Sequence, residues 1–286
     1  MANIRLIRRR IRGIQGIVKI TRAMEMIATS KMRRTQQRGL AGRPYSEKIT
    51  QVLADLAALP QEGEVLHPLL QRRPVSKIAI VHITPDRGLC GGLNTSINRK
   101  TASFITEQSV PVNLIAVGRK GLDFMRRYGR DIRAEFTRLG DQPSLLDTLP
   151  ISRIIIDDYT NGLIDLVYLA YAQFVSTMVQ QPILQQILPI QPAADIPRTQ
   201  NVDYIYEPSP ALVLGGLLPR FVEMQVYHAI LESIASEQSA RMVAMRNATD
   251  NANELIGELT LIYNKARQES ITKELLDITG GVEALS

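Results

Sequence analysis

Residues 219–286 read PRFVEMQVYHAILESIASEQSARMVAMRNATDNANELIGELTLIYNKARQESITKELLDITGGVEALS. After Pro219 the stretch contains no proline, the residue that most often ends or kinks a helix. The pattern therefore predicts one helix, about 100 Å long at roughly 1.5 Å per residue. A domain of ordinary size cannot cover such a helix along its length, so the helix must pack against another long helix or lie inside an assembly.

The apolar positions of this helix predict a coiled-coil seam in which several residues are unusual. Gln238, Thr249 and Ala252 are polar or small at positions where a tight coiled coil has leucine. A local packing defect would explain them, and a surface that turns against its surroundings is the alternative interpretation. The full predicted seam is Leu231, Ile234, Gln238, Met242, Met245, Thr249, Ala252, Leu255, Leu259, Ile262 and Ala266.

The amino-terminal residues, 1–59, have the same helical character. A first apolar series recurs at alternating spacings of three and four, as in a coiled coil: Ile4, Ile7, Ile11, Ile14 and Val18. A second series predicts a one-residue shift in the phase of the seam: Ile17, Ile20, Met24 and Ile27. Gly39, Gly42 and Pro44 predict a bend, after which the helix resumes and stops at Pro60. This helix and that of residues 209–286 are expected to pair antiparallel.

The residues between the two long helices, 75–192, predict an α/β domain. Short β-rich runs at 77–84, 112–117 and 165–171 alternate with helical patterns at 93–107, 119–128 and 152–160. This alternation is typical of a mainly parallel, Rossmann-like sheet, and residues 180–192 add an edge strand bounded by prolines. The predicted fold class is therefore α/β with long terminal helices, and residues 61–74 and 192–210 are its linkers.

The charge distribution predicts a partner. Residues 1–50 contain 13 Lys and Arg against Glu25 and Glu47, whereas residues 232–286 contain nine acids against five Lys and Arg. The contrast favours pairing of the two helices and leaves surplus positive charge for nucleic acid, lipid headgroups or an acidic protein surface. An Arg-rich start also fits a transit peptide, but the helical pattern continues past residue 50.

The motifs that could carry chemistry are weak. The loop of residues 86–94, DRGLCGGLN, follows the first predicted strand, yet it has neither the G-x-G-x-x-G spacing nor a G-K-[ST] sequence. A tight turn explains its glycines, and phosphate binding is the alternative. Cys90, the only cysteine, excludes an internal disulfide and has no evident histidine base. Asp157 and Asp158 fit solvated acids better than a metal site.

Four ordered segments give the chain, along essentially its whole length, a resemblance to the gamma subunit family of the F-type ATP synthase. They are GIQGIVKITRAMEMIATSKM at 13–32, DRGLCGGLN at 86–94, SEQSARMVAMRNATDN at 236–251 and YNKARQESITKEL at 263–275. The resemblance implies the central rotor shaft, a non-catalytic subunit that passes torque between a proton-driven membrane ring and a catalytic head. It implies no cofactor on this chain, with MgATP and MgADP bound by partner subunits.

The resemblance also implies partners and contacts. The partners would be the alpha and beta subunits of the head, the epsilon subunit and the membrane c-ring, with one copy of this chain and no nucleic acid. Arg241, Gln268 and Thr272 would contact catch loops of the head. Arg22, Met24 and Lys31 would lie near acidic lever loops. The chain has no cysteine-bearing insert at 190–210, which excludes the redox switch of chloroplast relatives. The expected location is the cytoplasmic side of a bacterial inner membrane, on the periphery.

Two other classes of function stay open at this point. A nucleotide-dependent enzyme built on the α/β domain predicts nucleotide binding by the isolated chain. A basic coiled-coil protein that binds nucleic acid predicts salt-sensitive binding through the exposed arginines at 8, 9, 10 and 12. The missing phosphate-loop glycines and the missing base-reading motifs count against each in turn.

Overall fold

A computed structural model describes residues 4–57, 67–190, 207 and 209–283. The elements in chain order are α1 (Ile4–Ala57), a 3₁₀ turn (Pro68–Leu70), β1 (Ile78–Ile83), α2 (Leu93–Glu107), β2 (Val112–Val117), α3 (Arg119–Arg127), β3 (Ile132–Phe136), α4 (Leu145–Thr160), β4 (Leu166–Phe174), β5 (Gln180–Leu188) and α5 (Pro210–Glu283). The predicted fold class, α/β with long terminal helices, is confirmed.

The chain divides into two compact units, and both long helices contribute to each. We call Met1–Ala28 with Arg241–Ser286 the helical unit, and Thr29–Ala240 the α/β unit. The predicted domain limits at residues 1–59, 75–192 and 209–286 stay predictions, since the division into units follows packing and cuts through both helices. Much of the two predicted linkers, at 58–66, 191–206 and 208, lies outside the described residues.

The α/β unit is built on a five-stranded sheet in the order β3-β2-β1-β4-β5. The first four of these strands are parallel, and β5 runs antiparallel to β4. Because β1 is buried on both faces, its apolar residues form an unbroken run rather than an alternation. Ile78 and Ile80 face a core that includes Ile105 of α2 and Met125 of α3.

The opposite face of the sheet carries the larger core, to which α4 and α5 contribute. Ala79, Val81 and Ile83 of β1 belong to this core. Helix α5 supplies buried side chains at every third or fourth position, which are Leu214, Leu218, Val222, Val226, Ala229 and Ile230. This spacing aligns one face of the helix with the sheet, so α5 is part of the domain core as well as a terminal helix.

Most of the predicted elements of this unit are confirmed, and two differ. Strand β3 was not predicted, because charged Arg133 and Glu135 alternate with its apolar residues and disguise a short edge strand. Helix α4 begins seven residues before the predicted start. Asp147 Oδ2 accepts hydrogen bonds from Ser144 N and Ser144 Oγ, each 2.8 Å long, which caps the start of the helix. Pro150 lies within the first turns of this helix, and a proline there argued against the earlier start.

Helix α1 is not interrupted at the predicted bend, since it continues through Gly39, Gly42 and Pro44 to Ala57. The glycine at 42 has a packing role in the α/β unit. A Cβ atom there would lie 2.9 Å from Cε1 of His228 on α5, which is too close for ordinary contact. Gly42 therefore leaves room for the imidazole ring of His228.

The helical unit pairs the start of α1 with the end of α5 in antiparallel directions. The hydroxyls of Thr21 and Thr249 lie 2.7 Å apart in a buried hydrogen bond, and Arg246 Nε donates to Glu25 Oε1 at 2.9 Å. As the residue number rises on α1 it falls on α5, which fixes the antiparallel sense. This ion pair joins an acidic residue of the basic helix α1 to a basic residue of the acidic part of α5. The charge distribution favoured the opposite arrangement, with bases of α1 paired to acids of α5.

The seam of α1 does not shift phase, so this prediction was wrong. Ile17, Ile20 and Ile27 are 51%, 61% and 55% exposed, whereas Thr21 and Ala28 are buried. The original spacing of three and four residues continues through Thr21. A polar residue at a buried position cannot be recognised from the apolar pattern alone.

The seam of α5 follows the prediction as far as Ala252 and departs from it at two later positions, whereas Leu259 and Ala266 are half-buried as predicted. Leu255 and Ile262 are exposed, while Ile256 and Tyr263 are half-buried in their place. Gln238 and Thr249 are buried within the chain. The interpretation of these polar residues as an outward turning surface was therefore wrong.

Among the described residues, no helix combines the length and apolar character needed to cross a membrane.

His82 of β1 is a buried titratable group in the α/β unit. Its Nε2 lies 2.8 Å from Asn98 Oδ1 and its Nδ1 lies 3.1 Å from Thr101 Oγ1, both on α2. Burial lowers the pKa of His82 from 6.5 to about 4, although the Asn98 hydrogen bond opposes this shift. The folded chain therefore holds His82 neutral at pH values where the unfolded chain protonates it.

We expect this histidine to make the folded chain sensitive to acid. The unfolded state binds the extra proton between about pH 6.5 and about pH 4, so stability is full above this window and is lost as the pH falls through it. The loss should reach about 1.4 kcal/mol per pH unit. Urea unfolding from pH 7 to pH 4 should give a shallower pH dependence for His82→Gln than for the unaltered chain. His67→Gln is the control: partial burial also lowers the pKa of His67, but less than full burial lowers that of His82, so a smaller change is expected. An equal change in both variants would contradict the assignment.

Candidate functional site

The loops at the carboxyl ends of β1, β2 and β3 are held together by one carboxylate. Asp86 Oδ1 accepts a hydrogen bond from the backbone N–H of Arg119 at 2.9 Å, and Asp86 Oδ2 accepts one from that of Arg138 at 3.0 Å. Gly118 lies in the same region with φ 92°, and a Cβ atom there would meet Thr84 O at 1.8 Å. The aspartate of the DRGLCGGLN motif thus has a structural role, which the spacing of the motif did not predict.

The crevice where an α/β sheet commonly binds nucleotides is filled by protein in this unit. Such crevices lie where strand order reverses, here between the carboxyl ends of β1 and β4. Cys90, Leu93 and Ile97 pack there with Ala172 of β4 and Ala240 of α5. A neighbouring cavity at the ends of β1 and β2 has a volume of only ≈ 40 Å³. Ligand pockets typically measure several hundred Å³, so this cavity is too small for a nucleotide.

Cys90 and the acidic pair have ordinary structural surroundings. Cys90 is buried, and the side-chain nitrogen of Asn94 donates to its Sγ at 3.3 Å. The ring of His82 is bonded to Asn98 and Thr101, so it does not serve Cys90 as a base. Asp158 is buried and pairs with Arg133 at 3.3 Å, which corrects the expectation of a solvated acid. No acidic, histidine or cysteine cluster that could hold a metal occurs within the described ranges.

A groove of ≈ 710 Å³ lies in the α/β unit between α1, α5 and strands β4 and β5. Tyr171 Oη donates to Gln185 Oε1 at 3.0 Å beside this groove, and Glu232 lies next to the same hydroxyl. Burial and the neighbouring carboxylate raise the pKa of Tyr171 well above its usual value. A tyrosine held protonated in this way is a poor base.

The predicted contact residues are spread over both units. Arg22, Gln268 and Thr272 are exposed in the helical unit, where Met24 and Arg241 are half-buried. Lys31 belongs to the α/β unit, and its Nζ donates to Asp141 Oδ2 at 2.7 Å. Within the helical unit, Arg22 and Met24 lie on α1, and the other predicted contact residues lie on α5.

The helical unit exposes apolar residues that its own seam does not cover. Ile17, Ile20 and Ile27 lie three and seven residues apart, so they share one side of α1, and all are more than half exposed. On α5 the exposed apolar residues are Leu255, Leu261, Ile262, Ile271, Leu275, Leu276 and Ile278. The arginines at 8, 9, 10 and 12 are exposed as well. Exposed apolar and basic residues on the same unit are typical of a binding surface.

Comparison with known families and curated proteins gives one consistent result. The family model described as ATP synthase matches residues 3–285. The ATP synthase gamma chain of Dehalococcoides mccartyi strain CBDB1 is 71% identical over 286 residues, covering 100% of both chains. That of Herpetosiphon aurantiacus is 50% identical over 295 residues, again with 100% of both chains covered.

Solved structures agree in fold. The central stalk and c-ring structure of Tetrahymena thermophila mitochondrial ATP synthase contains a chain that is 25% identical, with a TM-score of 0.63. The match covers 80% of this chain and 99% of that one. A chain in the Euglena gracilis mitochondrial ATP synthase structure of OSCP, F1 and c-ring has a TM-score of 0.67 at 20% identity, covering 99% of this chain and 94% of that one. At that identity the second likeness concerns the fold alone.

Removing the Asp86 carboxylate should destabilise the α/β unit. Asp86→Ala leaves two backbone N–H groups without their acceptor, and we expect the free energy of unfolding to fall by about 1 to 2 kcal/mol in urea titrations. Asp123→Ala is the matched control. It removes only the exposed pairing of Asp123 with Arg119 at 3.8 Å, which should contribute less than about 0.5 kcal/mol. Equal losses in the two variants would argue against the structural role of Asp86.

Proposed function

The chain belongs to the gamma chain family of ATP synthase, and from this premise we propose that it carries torque between a membrane-embedded ring and a catalytic head. It is a central stalk subunit of the complex and is not itself catalytic. The paired helices would turn inside the head as a shaft, and the α/β unit would stay coupled to the ring.

The exposed apolar residues of the helical unit are the observation that carries this proposal. Three isoleucines on α1 and seven aliphatic residues on α5 remain in contact with water when the chain is alone. Each would gain roughly 1 to 2 kcal/mol on burial, so an enclosing partner is favoured strongly. Smooth aliphatic contact has no directional preference, which suits a shaft that must occupy several angular positions in turn.

We propose the alpha and beta subunits of the head as the proteins that enclose the helical unit, and the epsilon subunit and c-ring as partners of the α/β unit. One copy of this chain would serve each complex, and the beta and alpha subunits would bind MgATP and MgADP. The basic start of α1 supports an acidic partner surface, because net charges of opposite sign attract over about 8 Å at physiological salt.

The contact residues stay proposals. Arg241, Gln268 and Thr272 would meet catch loops of the head, and Arg22 and Met24 would lie near acidic lever loops. Lys31 would have to exchange Asp141 for a partner carboxylate. The cost of this exchange is small, since a half-exposed ion pair contributes about 1 kcal/mol or less.

The proposed setting is the inner cell membrane, with this chain peripheral on its cytoplasmic side and protons as the coupling ion. A coiled coil of the two terminal helices is proposed along the helical unit. Its support is the antiparallel pairing at Thr21 and Thr249 and the spacing of three and four on both helices.

Reconstitution tests the proposed function. The purified alpha and beta subunits are assayed for ATP hydrolysis with and without this chain. We expect one copy of the chain to assemble with the head and to raise sustained turnover, while the chain alone hydrolyses nothing. A chain that stays free and binds ATP or DNA by itself would overturn the proposal in favour of the enzyme or nucleic-acid alternative.

A single substitution then examines a contact residue. Arg241→Ala should lower ATP turnover of the reconstituted complex several-fold, because a charged contact across an interface typically contributes about 1 to 3 kcal/mol. The circular dichroism spectrum and the thermal midpoint of the free chain should stay near those of the unaltered protein. Arg220→Ala, on the same helix within the α/β unit, is the matched control and should leave turnover unchanged. Unaltered turnover in Arg241→Ala would remove this residue from the proposed contacts.

A further inference from the structure

Two serines on α5 lie buried against the sheet at the end of the α/β unit. Ser236 and Ser239 are both 0% exposed, and their spacing of three residues directs them to the same side of the helix. They begin the segment of residues 236–251 that carried much of the family resemblance. The later residues Met242, Met245 and Thr249 of this segment are buried in the helical unit, so the segment contributes to both units.

Ser236 supplies a hydrogen bond that the sheet itself cannot provide. Its hydroxyl donates to the backbone carbonyl of Ala172 at 2.9 Å. On one side Ala172 is paired with Pro182, which has no N–H to donate. On the other side the pairing of β4 with β1 ends at Ala170. Ala172 therefore lies past the end of the β1 pairing and opposite a proline of β5, and the Ser236 hydroxyl donates to its buried carbonyl.

Ser239 fastens the turn between β4 and β5. Its hydroxyl donates to the backbone carbonyl of Thr177 at 2.7 Å. The side-chain nitrogen of Gln180, the first residue of β5, lies 3.4 Å from Ser239 Oγ and 3.0 Å from the same Thr177 carbonyl. One serine thus holds both ends of the turn to the helix.

These hydrogen bonds add to a contact between α5 and the sheet that is mainly aliphatic, apart from Glu232 beside the Tyr171 hydroxyl. The other buried residues of α5 in this unit are mainly aliphatic, such as Leu218, Val222 and Val226. Aliphatic contact holds a helix on a sheet but resists sliding and rotation about the helix axis only through shape. Hydrogen bonds to main-chain carbonyls are directional, so they fix both the axial position and the rotation of α5.

We propose that Ser236 and Ser239 form the joint through which the α/β unit passes torque to α5. The inference rests on the proposed function, because a joint of this kind matters only where the two are loaded against each other. The serines act as positioning residues: they hold the helix and take no part in nucleotide chemistry.

The test measures the stiffness of this joint in an assembled complex. A bead is attached through a cysteine introduced by Lys100→Cys on exposed α2, since the native Cys90 is buried and unreactive by comparison. The alpha and beta subunits are fixed to a surface, and the bead is observed first with ATP and then stalled without it. The angular spread of the stalled bead reports the flexibility of everything between the head and α2.

The double variant S236A/S239A should broaden the stalled angular distribution by about 1.5-fold or more, because directional restraints have been removed. Ser233→Ala is the matched control. Ser233 is buried three residues earlier on α5, and no hydrogen bond from its side chain to the sheet is seen in the described part of the chain. Its alanine variant should retain the original spread. An unchanged distribution in S236A/S239A overturns the proposal, even if that variant unfolds at a lower temperature.

The two hypotheses fail in different ways in this experiment. A bead that never rotates with ATP would contradict the proposed function, whereas a bead that rotates with equal spread in all variants would contradict the joint alone. If the double variant does not assemble, the single variants S236A and S239A are measured in the same way, and spreads equal to that of Ser233→Ala overturn the proposal.

Discussion

Burial along a helix of 74 residues is the constraint on which the rest of this structure depends. Isolated helices gain little stability in water, so such an element persists only where a partner covers one side of it. Helix α5 meets this need differently in the two units. In the α/β unit it contributes Leu218, Val222 and Val226 to the core of the sheet, whereas in the helical unit Met242 and Met245 are buried.

Apolar burial alone does not fix the relative positions of the packed elements. Polar groups at buried positions fix them. Asp86 joins the loops after β1, β2 and β3 through backbone N–H groups. Thr21 and Thr249 form a hydrogen bond between α1 and α5, in which one hydroxyl donates to the other while the accepting hydroxyl donates to a carbonyl of its own helix. In each case an oxygen meets a main-chain or hydroxyl partner at one relative position of the elements, so a displaced arrangement would lose the bond.

Much of the fold could be predicted from the sequence because local pattern and tertiary structure agree there. The buried strand β1 and the helix Leu93–Glu107 are examples. The phase of the α1 seam could not be predicted, since Ile17 and Ile20 form an apolar series as regular as the true seam. A polar Thr21 at the buried position is recognisable only with its partner Thr249 present. Exposed isoleucines of this kind mislead pattern analysis whenever their burial occurs in another protein. The roles of Asp86, Ser236 and Ser239 depend on carbonyls and N–H groups far away in sequence. The periodicity of the sequence therefore could not predict them.

The close approach at Gly42 has a consequence for how the chain can vary. Helix propensity alone favours alanine over glycine by about 1 kcal/mol at an interior helical position such as this one. The added methyl would lie 2.9 Å from the imidazole of His228, so that ring has to move and this opposes the gain in propensity. Residue 42 is thus a site where local preference and tertiary distance disagree. Substitutions at residues 42 and 228 should be epistatic, with a smaller residue at 228 making alanine at 42 acceptable.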